Sequence, residues 1–151
     1  MAVLRDLPYA QFNFLVDLGG TGETEGPRAG FRECSEIGTT LDVIEYRNGN
    51  EKANNVRKLT GLERPIDVTL RRGIIGSLDL YDWLNQLRQG DQGAVRNVLI
   101  QLQNEDHSAI VQTWKLFRAR IVKHVSGPFN AQCSDVAIEE LTLAYERLEL
   151  E

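Results

Sequence analysis

Cysteine and histidine are scarce in this chain, which has two of each among its 151 residues. Cys34 and Cys133 lie in unrelated contexts without CxxC spacing, and with His107 and His124 they offer no ligand pair for a structural zinc ion. One disulfide is an alternative, but the favoured interpretation is buried free thiols in a reducing cytosol. We therefore predict no metal site.

Long apolar runs and an excess of basic residues are also missing. No stretch approaches the roughly 18 apolar residues of a membrane span, and the start of the chain has no basic region followed by an apolar run. The 17 basic and 22 acidic residues give a net charge of -5, which argues against a protein that binds nucleic acid through its phosphates. We expect a soluble subunit with no signal peptide and no stable membrane insertion.

The chain carries no pattern typical of an enzyme. Gly19-Gly20-Thr21-Gly22 is rich in glycine but lacks the Lys-Ser/Thr pair of a phosphate loop. No nucleophile motif accompanies Asp135, Glu139 and Glu140, which we interpret as solvated. Arg71-Arg72-Gly73 could hold an anion, but we interpret it as basic side chains on the wet face of a strand. We predict neither catalysis nor a cofactor.

The main pattern of the chain is an alternation of apolar and polar residues, which predicts strands with one buried face. The alternation covers Phe12 to Leu18, Ile66 to Leu70, Val98 to Gln103 and the segment after Ala109, where a shift near Leu116-Phe117 suggests a β-bulge. Gly19 to Gly30, which contains five glycines, is interpreted as a mobile surface loop. We predict one mainly β domain over residues 1–151.

One helix interrupts the strands, because the apolar spacing becomes helical after Gly76. The stripe consists of Leu80, Trp83, Leu84 and Leu87. Ser77 can cap the first turn and Gly90 can close the last one. The sequence therefore predicts an amphipathic α-helix at about 77–89 that covers a face or an open end of a sheet.

A polar block follows a strand that has no cleanly apolar face. From Leu41 to Tyr46 apolar residues occur on both faces, which suggests that the strand meets another surface on its second side. The block that follows contains Asn48-Gly49, a strong hairpin signal, and Val56 to Leu59 carries the chain back. We predict a hairpin with a polar tip.

The final segment, Asp135 to Glu151, fits two patterns equally well. Ile138, Leu141, Tyr145 and Leu148 have helical spacing, whereas Leu141, Leu143 and Tyr145 alternate as in a strand. Periodicity alone leaves the choice open.

Several motifs in order along nearly the whole chain resemble the tail-tube protein family of contractile phage tails and phage-tail-like contractile injection systems. The motifs are Tyr9-Ala10-Gln11-Phe12-Asn13-Phe14-Leu15-Val16, Gly30-Phe31-Arg32-Glu33-Cys34-Ser35-Glu36-Ile37-Gly38, Val43-Ile44-Glu45-Tyr46-Arg47-Asn48-Gly49-Asn50, Val56-Arg57-Lys58-Leu59-Thr60-Gly61-Leu62, Val68-Thr69-Leu70-Arg71-Arg72-Gly73 with Leu78-Asp79-Leu80-Tyr81-Asp82-Trp83-Leu84, Ser126-Gly127-Pro128 and Val136-Ala137-Ile138-Glu139-Glu140-Leu141-Thr142-Leu143-Ala144-Tyr145-Glu146. The Gly19 to Arg28 loop departs from the pattern because it is longer and richer in glycine.

The resemblance implies a mainly β fold, a β-sandwich or barrel-like tube-protein fold with one amphipathic helix and a strand in the C-terminal segment. It also implies hexameric rings that stack into a hollow tube, which passes protein cargo or DNA and meets a sheath protein, a baseplate and terminator or cap proteins. The protein would be made in a bacterial cytoplasm and become part of a phage tail or an injection particle. The alternative function is a monomeric β-barrel that binds a small ligand.

Two sets of residues are expected to act in such a tube. The polar hairpin between Arg47 and Val56 is the candidate for contact with the next ring, through Arg47, Asn48, Gly49, Asn50, Glu51, Lys52, Arg57 and Lys58. Polar alternates of the strands are the candidates for the lumen wall, and they are Asp67, Thr69 and Thr142.

Overall fold

A computed structural model describes residues 2–19 and 26–151, which contain nine strands, one α-helix and a single turn of 3-10 helix. The elements are β1 (Phe14–Leu18), the 3-10 turn (Pro27–Ala29), β2 (Glu33–Cys34), β3 (Thr39–Tyr46), β4 (Arg57–Pro65), β5 (Val68–Gly73), α1 (Asp79–Arg88), β6 (Arg96–Gln103), β7 (Ile110–Ser126), β8 (Ile138–Ala144) and β9 (Arg147–Leu150). Most of the glycine-rich loop expected at Gly19 to Gly30 lies outside the described residues.

Seven strands form one sheet, which we call the body together with α1. Its order is β1-β6-β7-β8-β5-β2, and β9 also pairs with β7. All of these pairs are antiparallel. Among the described residues the sheet does not close into a barrel. The structure therefore confirms the mainly β, sandwich-like fold with one helix.

The long strand β7 joins the two halves of the sandwich. Its first half pairs with β6 and β9, and its second half pairs with β8. Leu116 and Ala119 of β7 pair with Val98 and Arg96 of β6, so β7 has one extra residue between these two pairs. Arg118 lies in this bulge and has a φ of 53°. This confirms the bulge predicted near Leu116-Phe117. The extra residue bends the strand, and both halves then contribute to one core.

The helix α1 closes one side of this core with its apolar stripe. Trp83 is fully buried, its indole Nε1 donates to the Ala94 carbonyl at 2.8 Å, and the guanidinium of Arg96 lies 4.4 Å from its ring centroid. Gly90 ends the helix with φ 90, as predicted. Leu78 occupies the N-cap position, but the Ser77 hydroxyl accepts from the amide of Asp79 at 3.5 Å, so the predicted residue does contact the first turn.

The first strand differs from its prediction at two positions. Val16 is buried, as the alternation requires, but Phe12 precedes β1 and is 66% exposed. Asp17 on the opposite face is buried as well. The strand thus begins later than the alternation suggested.

The ambiguous C-terminal segment forms strands, as the family resemblance implied. Leu141, Leu143 and Tyr145 are buried in the core. Strands β8 and β9 pair with β7 in the same register, from the pair Ile121–Leu143 to the pair Trp114–Leu150. The pairing is interrupted only between Ala144 and Arg147. The two strands therefore form one continuous run along β7 with a local break.

The separate two-stranded sheet, β3 with β4, projects as a hairpin that we call the arm (Thr39–Pro65). The chain reverses through residues 47–56, which we call the tip, rather than through a two-residue turn at Asn48-Gly49. Strands β3 and β4 pair with each other and with no other described strand. The body does not cover the arm.

Candidate assembly surfaces

The arm exposes large apolar side chains on both faces. These side chains are Leu41, Val43, Ile44, Tyr46, Leu59 and Leu62. The register opposes Ile44 to Leu59 and Tyr46 to Arg57 on one face, while Val43 opposes Thr60 on the other. This confirms the two-faced character of Leu41 to Tyr46. The apolar residues of β4 extend the surface beyond the segment that the sequence singled out.

Gly61 fits the arm because β4 carries an extra residue there. Between Leu41 and Val43 the register shifts by one residue on β4. A Cβ atom at Gly61 would lie 3.1 Å from the Asp42 carbonyl oxygen and 3.2 Å from Cγ1 of Ile44. The close approach of the two strands therefore depends on the missing side chain.

The tip is held together by its own polar groups. Arg47 donates to the carbonyl oxygens of Glu51 at 2.8 Å and Ala53 at 3.1 Å. The Glu51 carboxylate accepts from Asn48 Nδ2 at 3.2 Å and pairs with Arg57 at 3.0 Å. The structure thus brings together four of the predicted contact residues in a network around Glu51.

The other predicted contact residues are exposed, three of them in the tip and Lys58 beside it on β4. Gly49, Asn50, Lys52 and Lys58 are exposed, and the described ion pairs do not include either lysine. Lys58 lies opposite Glu45 across the two strands. These exposed groups, rather than the bonded ones, are available for contacts with another molecule.

A second surface is polar and lies on the outer side of β2, β5, β8 and β7. Its polar members are Glu33, Thr69, Arg71, Lys123, Glu140 and Thr142, with the exposed Val125 beside Glu140, and we call it the polar face. Arg71 lies 3.3 Å from Glu33 and 3.2 Å from Glu140, and Lys123 lies 3.9 Å from Glu140. Charges of opposite sign alternate across neighbouring strands, so the surface largely neutralises itself.

Two of the three predicted lumen residues lie together on the polar face. Thr69 and Thr142 are register partners, and their hydroxyl oxygens are 3.3 Å apart. Asp67 precedes β5 and is exposed. Burial raises the pKa of the Tyr145 phenol, and the charge of Asp67 raises it further. The structure thus pairs Thr69 with Thr142 and leaves Asp67 outside that pair.

On the inner side of the same strands lies a buried charge network that the sequence analysis missed. Arg72 is fully buried, and its guanidinium donates to Glu139 at 2.5 Å, to Asp79 at 2.6 Å and to the Arg28 carbonyl at 2.7 Å. The second oxygen of Glu139 lies 3.1 Å from Nε2 of His124. One cation thus joins β5, β8, α1 and the 3-10 turn.

Two predictions were wrong at this network. We interpreted Arg72 as lying on a wet face and Glu139 as solvated, but both are buried. Burial pulls the pKa of the Asp79 carboxyl upward, and hydrogen bonds from Arg72 and Ser77 outweigh it, so that the pKa lies below its ordinary value. Arg71 does lie on the exposed face.

The segment before β1 is clamped to the turn between β6 and β7. Arg5 donates to both carboxylate oxygens of Glu105, at 2.6 and 3.0 Å, and stacks 3.8 Å from the ring of Tyr9. The Ala10 amide donates to Glu105 at 3.2 Å. The hydrogen bond from Arg5 is the main reason that the pKa of Glu105 falls to about 2.

The cysteines are free thiols, as predicted, although Cys34 is only half-buried and Cys133 is exposed. In the described part of the chain, no group of three His, Cys, Asp or Glu side chains is placed to hold a metal ion. None of the helices in residues 2–19 and 26–151 is long and apolar enough to cross a membrane.

Solved structures share this fold along almost the full chain. A chain of the PVC sheath-tube complex of an extracellular contractile injection system, in the extended state, is similar at a TM-score of 0.79 and 29% identity, and the match covers 97% of this chain and 93% of that chain. A chain of the PVC sheath/tube terminator gives a TM-score of 0.82 at 28% identity, and the match covers 97% of this chain and 98% of that chain. A chain of the anti-feeding prophage tube-terminating cap gives a TM-score of 0.81 at 26% identity, and the match covers 100% of this chain and 95% of that chain.

A more distant likeness concerns the fold alone. Hcp1 from Flavobacterium johnsoniae has a TM-score of 0.53 at 11% identity, covering 91% of this chain and 93% of that chain. Among curated proteins, none matches the chain significantly.

The sandwich-like body, the projecting arm and these likenesses define a structural subunit of a tail tube. The chain belongs to the family of the T4-like virus tail tube protein gp19, whose family model matches residues 10–149. It is therefore a component of a phage tail or of a contractile injection particle.

Proposed function

We propose that this chain forms hexameric rings that stack into the hollow inner tube of a contractile tail or injection system. The observation that carries the proposal is the uncovered arm, whose apolar side chains protrude on both faces. A lone two-stranded hairpin is marginally stable in water, and exposed strand edges invite aggregation unless another chain covers them. Neighbouring copies in a ring supply that cover, and a head-to-tail contact closes the circle.

The polar face is the proposed wall of the lumen. Cargo slides best along a surface without apolar patches, and this face carries a threonine pair and a row of charges that neutralise one another. Thr69 and Thr142 would line the channel, and Asp67 would add an acidic group beside it. A wall of this kind holds neither a basic nor an acidic cargo strongly, so protein cargo or DNA can pass.

The tip is the proposed contact between stacked rings. The network around Glu51 fixes its shape, while Lys52 and Lys58 stay exposed for pairing with acidic groups of the next ring. We further propose that the subunit is made in a bacterial cytoplasm. We also propose that the tube contacts a sheath protein, a baseplate and a terminator or cap, since similar chains occur in solved structures of a sheath-tube complex, a baseplate, a terminator and a cap.

Electron microscopy of the purified chain at high concentration tests the assembly. We expect rings and stacked tubes, and strictly monomeric particles under all conditions would overturn the proposal. A variant without residues 48–55 should keep the circular dichroism spectrum of the body and should still form rings that no longer stack. Tubes of normal length from this variant would refute the role of the tip. The matched control, Lys123→Gln on the polar face, should stack normally.

A further inference from the structure

The tip contains two adjacent residues that can react with each other. Asn48-Gly49 is the only Asn-Gly pair in the sequence. The backbone nitrogen of a glycine can approach the side-chain amide carbon of the preceding asparagine closely, because the glycine has no Cβ atom in the way. A Cβ atom at Gly49 would meet nothing within 4 Å, so neighbouring groups leave this residue open. The nucleophile and the electrophile thus belong to one exposed turn.

The reaction is an intramolecular substitution followed by hydrolysis. The Gly49 nitrogen gives up its proton and forms a bond to Cγ of Asn48, and the side-chain nitrogen leaves with that proton as ammonia. The product is a cyclic imide. Water then adds to either carbonyl carbon of the imide and breaks its bond to nitrogen, which leaves aspartate or isoaspartate. A neutral amide thereby becomes a carboxylate, and water is the only other reactant.

The folded tip holds the Asn48 amide by both of its polar atoms. Oδ1 accepts from the Tyr46 hydroxyl at 2.5 Å, and Nδ2 donates to the Glu51 carboxylate at 3.2 Å. The Glu51 carboxylate is in turn fixed by Arg57 at 3.0 Å. The Glu51 amide donates to the Asn48 carbonyl at 3.2 Å, so the backbone of the turn is fixed as well. Side chain and backbone are therefore restrained together.

We infer that Asn48 is a site of spontaneous deamidation and that the hydrogen bonds from Tyr46 and to Glu51 keep it unreactive. Attack on Cγ requires the amide to turn its face toward the Gly49 nitrogen, and these bonds have to open before it can turn. The rate then follows the population of the opened tip. The reaction needs one subunit and water, so it is independent of the proposed tube.

Conversion would change the charge of the tip permanently. Residues 47–56 carry two cations, Arg47 and Lys52, and one anion, Glu51. A carboxylate at position 48 balances them, and it places a like charge beside Glu51 in place of a hydrogen-bond donor. Weaker pairing of the tip with acidic groups of the next ring follows. This consequence rests on the proposed function, whereas the reaction does not.

Ageing of the full chain at low concentration and mildly alkaline pH measures the reaction. Trypsin cuts after Arg47 and Lys52, so the mass of the peptide 48–52 reports the conversion, and its fragmentation separates Asn48 from Asn50. We expect slow conversion of Asn48 in the folded chain and fast conversion in guanidinium chloride. Tyr46→Phe removes only the hydroxyl and should raise the folded rate roughly two- to tenfold, the factor for one hydrogen bond.

Two matched variants identify the chemistry and the positioning role. Gly49→Ala fits the turn without a clash, because nothing lies within 4 Å of the added Cβ. It should slow the conversion and should cancel the increase caused by Tyr46→Phe. Glu51→Gln keeps an oxygen that can accept from Nδ2 of Asn48, so its conversion should be slower than that of Glu51→Ala.

Equal rates in the folded and the denatured chain would overturn the inference. So would a lower rate in Tyr46→Phe, since the hydroxyl would then activate the amide instead of restraining it. An equal increase at Asn54 would show a general loosening of the tip and would overturn the positioning role of Tyr46.

Asn48→Asp tests the consequence for assembly separately. It should form rings that stack into shorter tubes than the unchanged chain forms. Tubes of normal length would overturn the charge effect and leave the reaction standing. Absence of rings from the unchanged chain would overturn the ring proposal and would not affect the rates measured on single subunits.

Discussion

Replacing Arg72 by methionine tests whether the buried charge network holds the two halves of the body together. Methionine keeps most of the volume but leaves Glu139, 6% exposed, without its cation. Removing one partner of a buried ion pair costs about 3–5 kcal/mol. For a chain of this length each kcal/mol shifts the melting temperature by roughly 2–4 °C, so a fall of about 6–20 °C is expected.

The neighbouring residue provides the matched control. Arg71 also pairs with two carboxylates, but its side chain is 49% exposed. Exposed ion pairs contribute about 0–1 kcal/mol, so Arg71→Met should lower the melting temperature by only a few degrees. Thermal unfolding of both variants, followed by circular dichroism at one concentration, gives the comparison. Equal losses from the two variants would refute the reasoning.

A double variant and a pH series sharpen the result. Arg72→Met with Glu139→Gln should be more stable than Arg72→Met alone, because no uncompensated buried charge is left on Glu139. The folded pKa of Asp79 lies below its ordinary 3.8. The stability that it contributes is complete above that value and is lost as the pH falls through the lowered pKa. Arg72→Met should remove this part of the acid dependence.

Three further predictions concern the arm, the N-terminal clamp and the helix. Gly61→Val should distort the arm through a clash with Asp42 and reduce ring formation in micrographs, while the melting temperature of the body stays within a few degrees. Because the pKa of Glu105 is lowered to about 2, its contacts should persist below its ordinary 4.5 and be lost as the pH falls through about 2, seen as lost protection of the Ala10 amide against hydrogen exchange, and Arg5→Gln should lose them at a higher pH. Trp83→Ala should cost about 3–5 kcal/mol in urea unfolding.

Sequence periodicity predicted the elements that have one buried face. The helix stripe ending at Gly90, the alternation around Val16 and the bulge in β7 are local patterns, and each has a direct structural counterpart. The apolar residues on both faces of Leu41 to Tyr46 also indicated an unusual strand. A strand at the edge of a covered sheet would have one polar face. Family resemblance was needed only for the C-terminal segment.

The sequence analysis missed the buried network because it gave the charge of these residues more weight than the alternation of the strand. Val68 and Leu70 point inward, so the same alternation places Arg72 inward and Arg71 outward. Glu139 follows in the same way from Leu141 and Leu143. What the sequence could not supply is the pairing of β5 with β8, which brings these residues of opposite charge into register although they are 67 residues apart in sequence. A buried cation is recognisable only when its anion is also known.

The unsatisfied surfaces of the subunit explain why a tube of such chains needs ends of a different kind. In the proposed ring every copy gives one arm and receives one, so the circle has no unmatched arm. Stacking has no such closure, and the last ring on each side presents uncovered tips or their docking surface. Those end surfaces would keep adding rings unless a dedicated partner covers them. Chains similar to this one occur in solved structures of a tube terminator and of a tube-terminating cap, which fits this requirement, because a chain of the same fold can match the surface of the last ring.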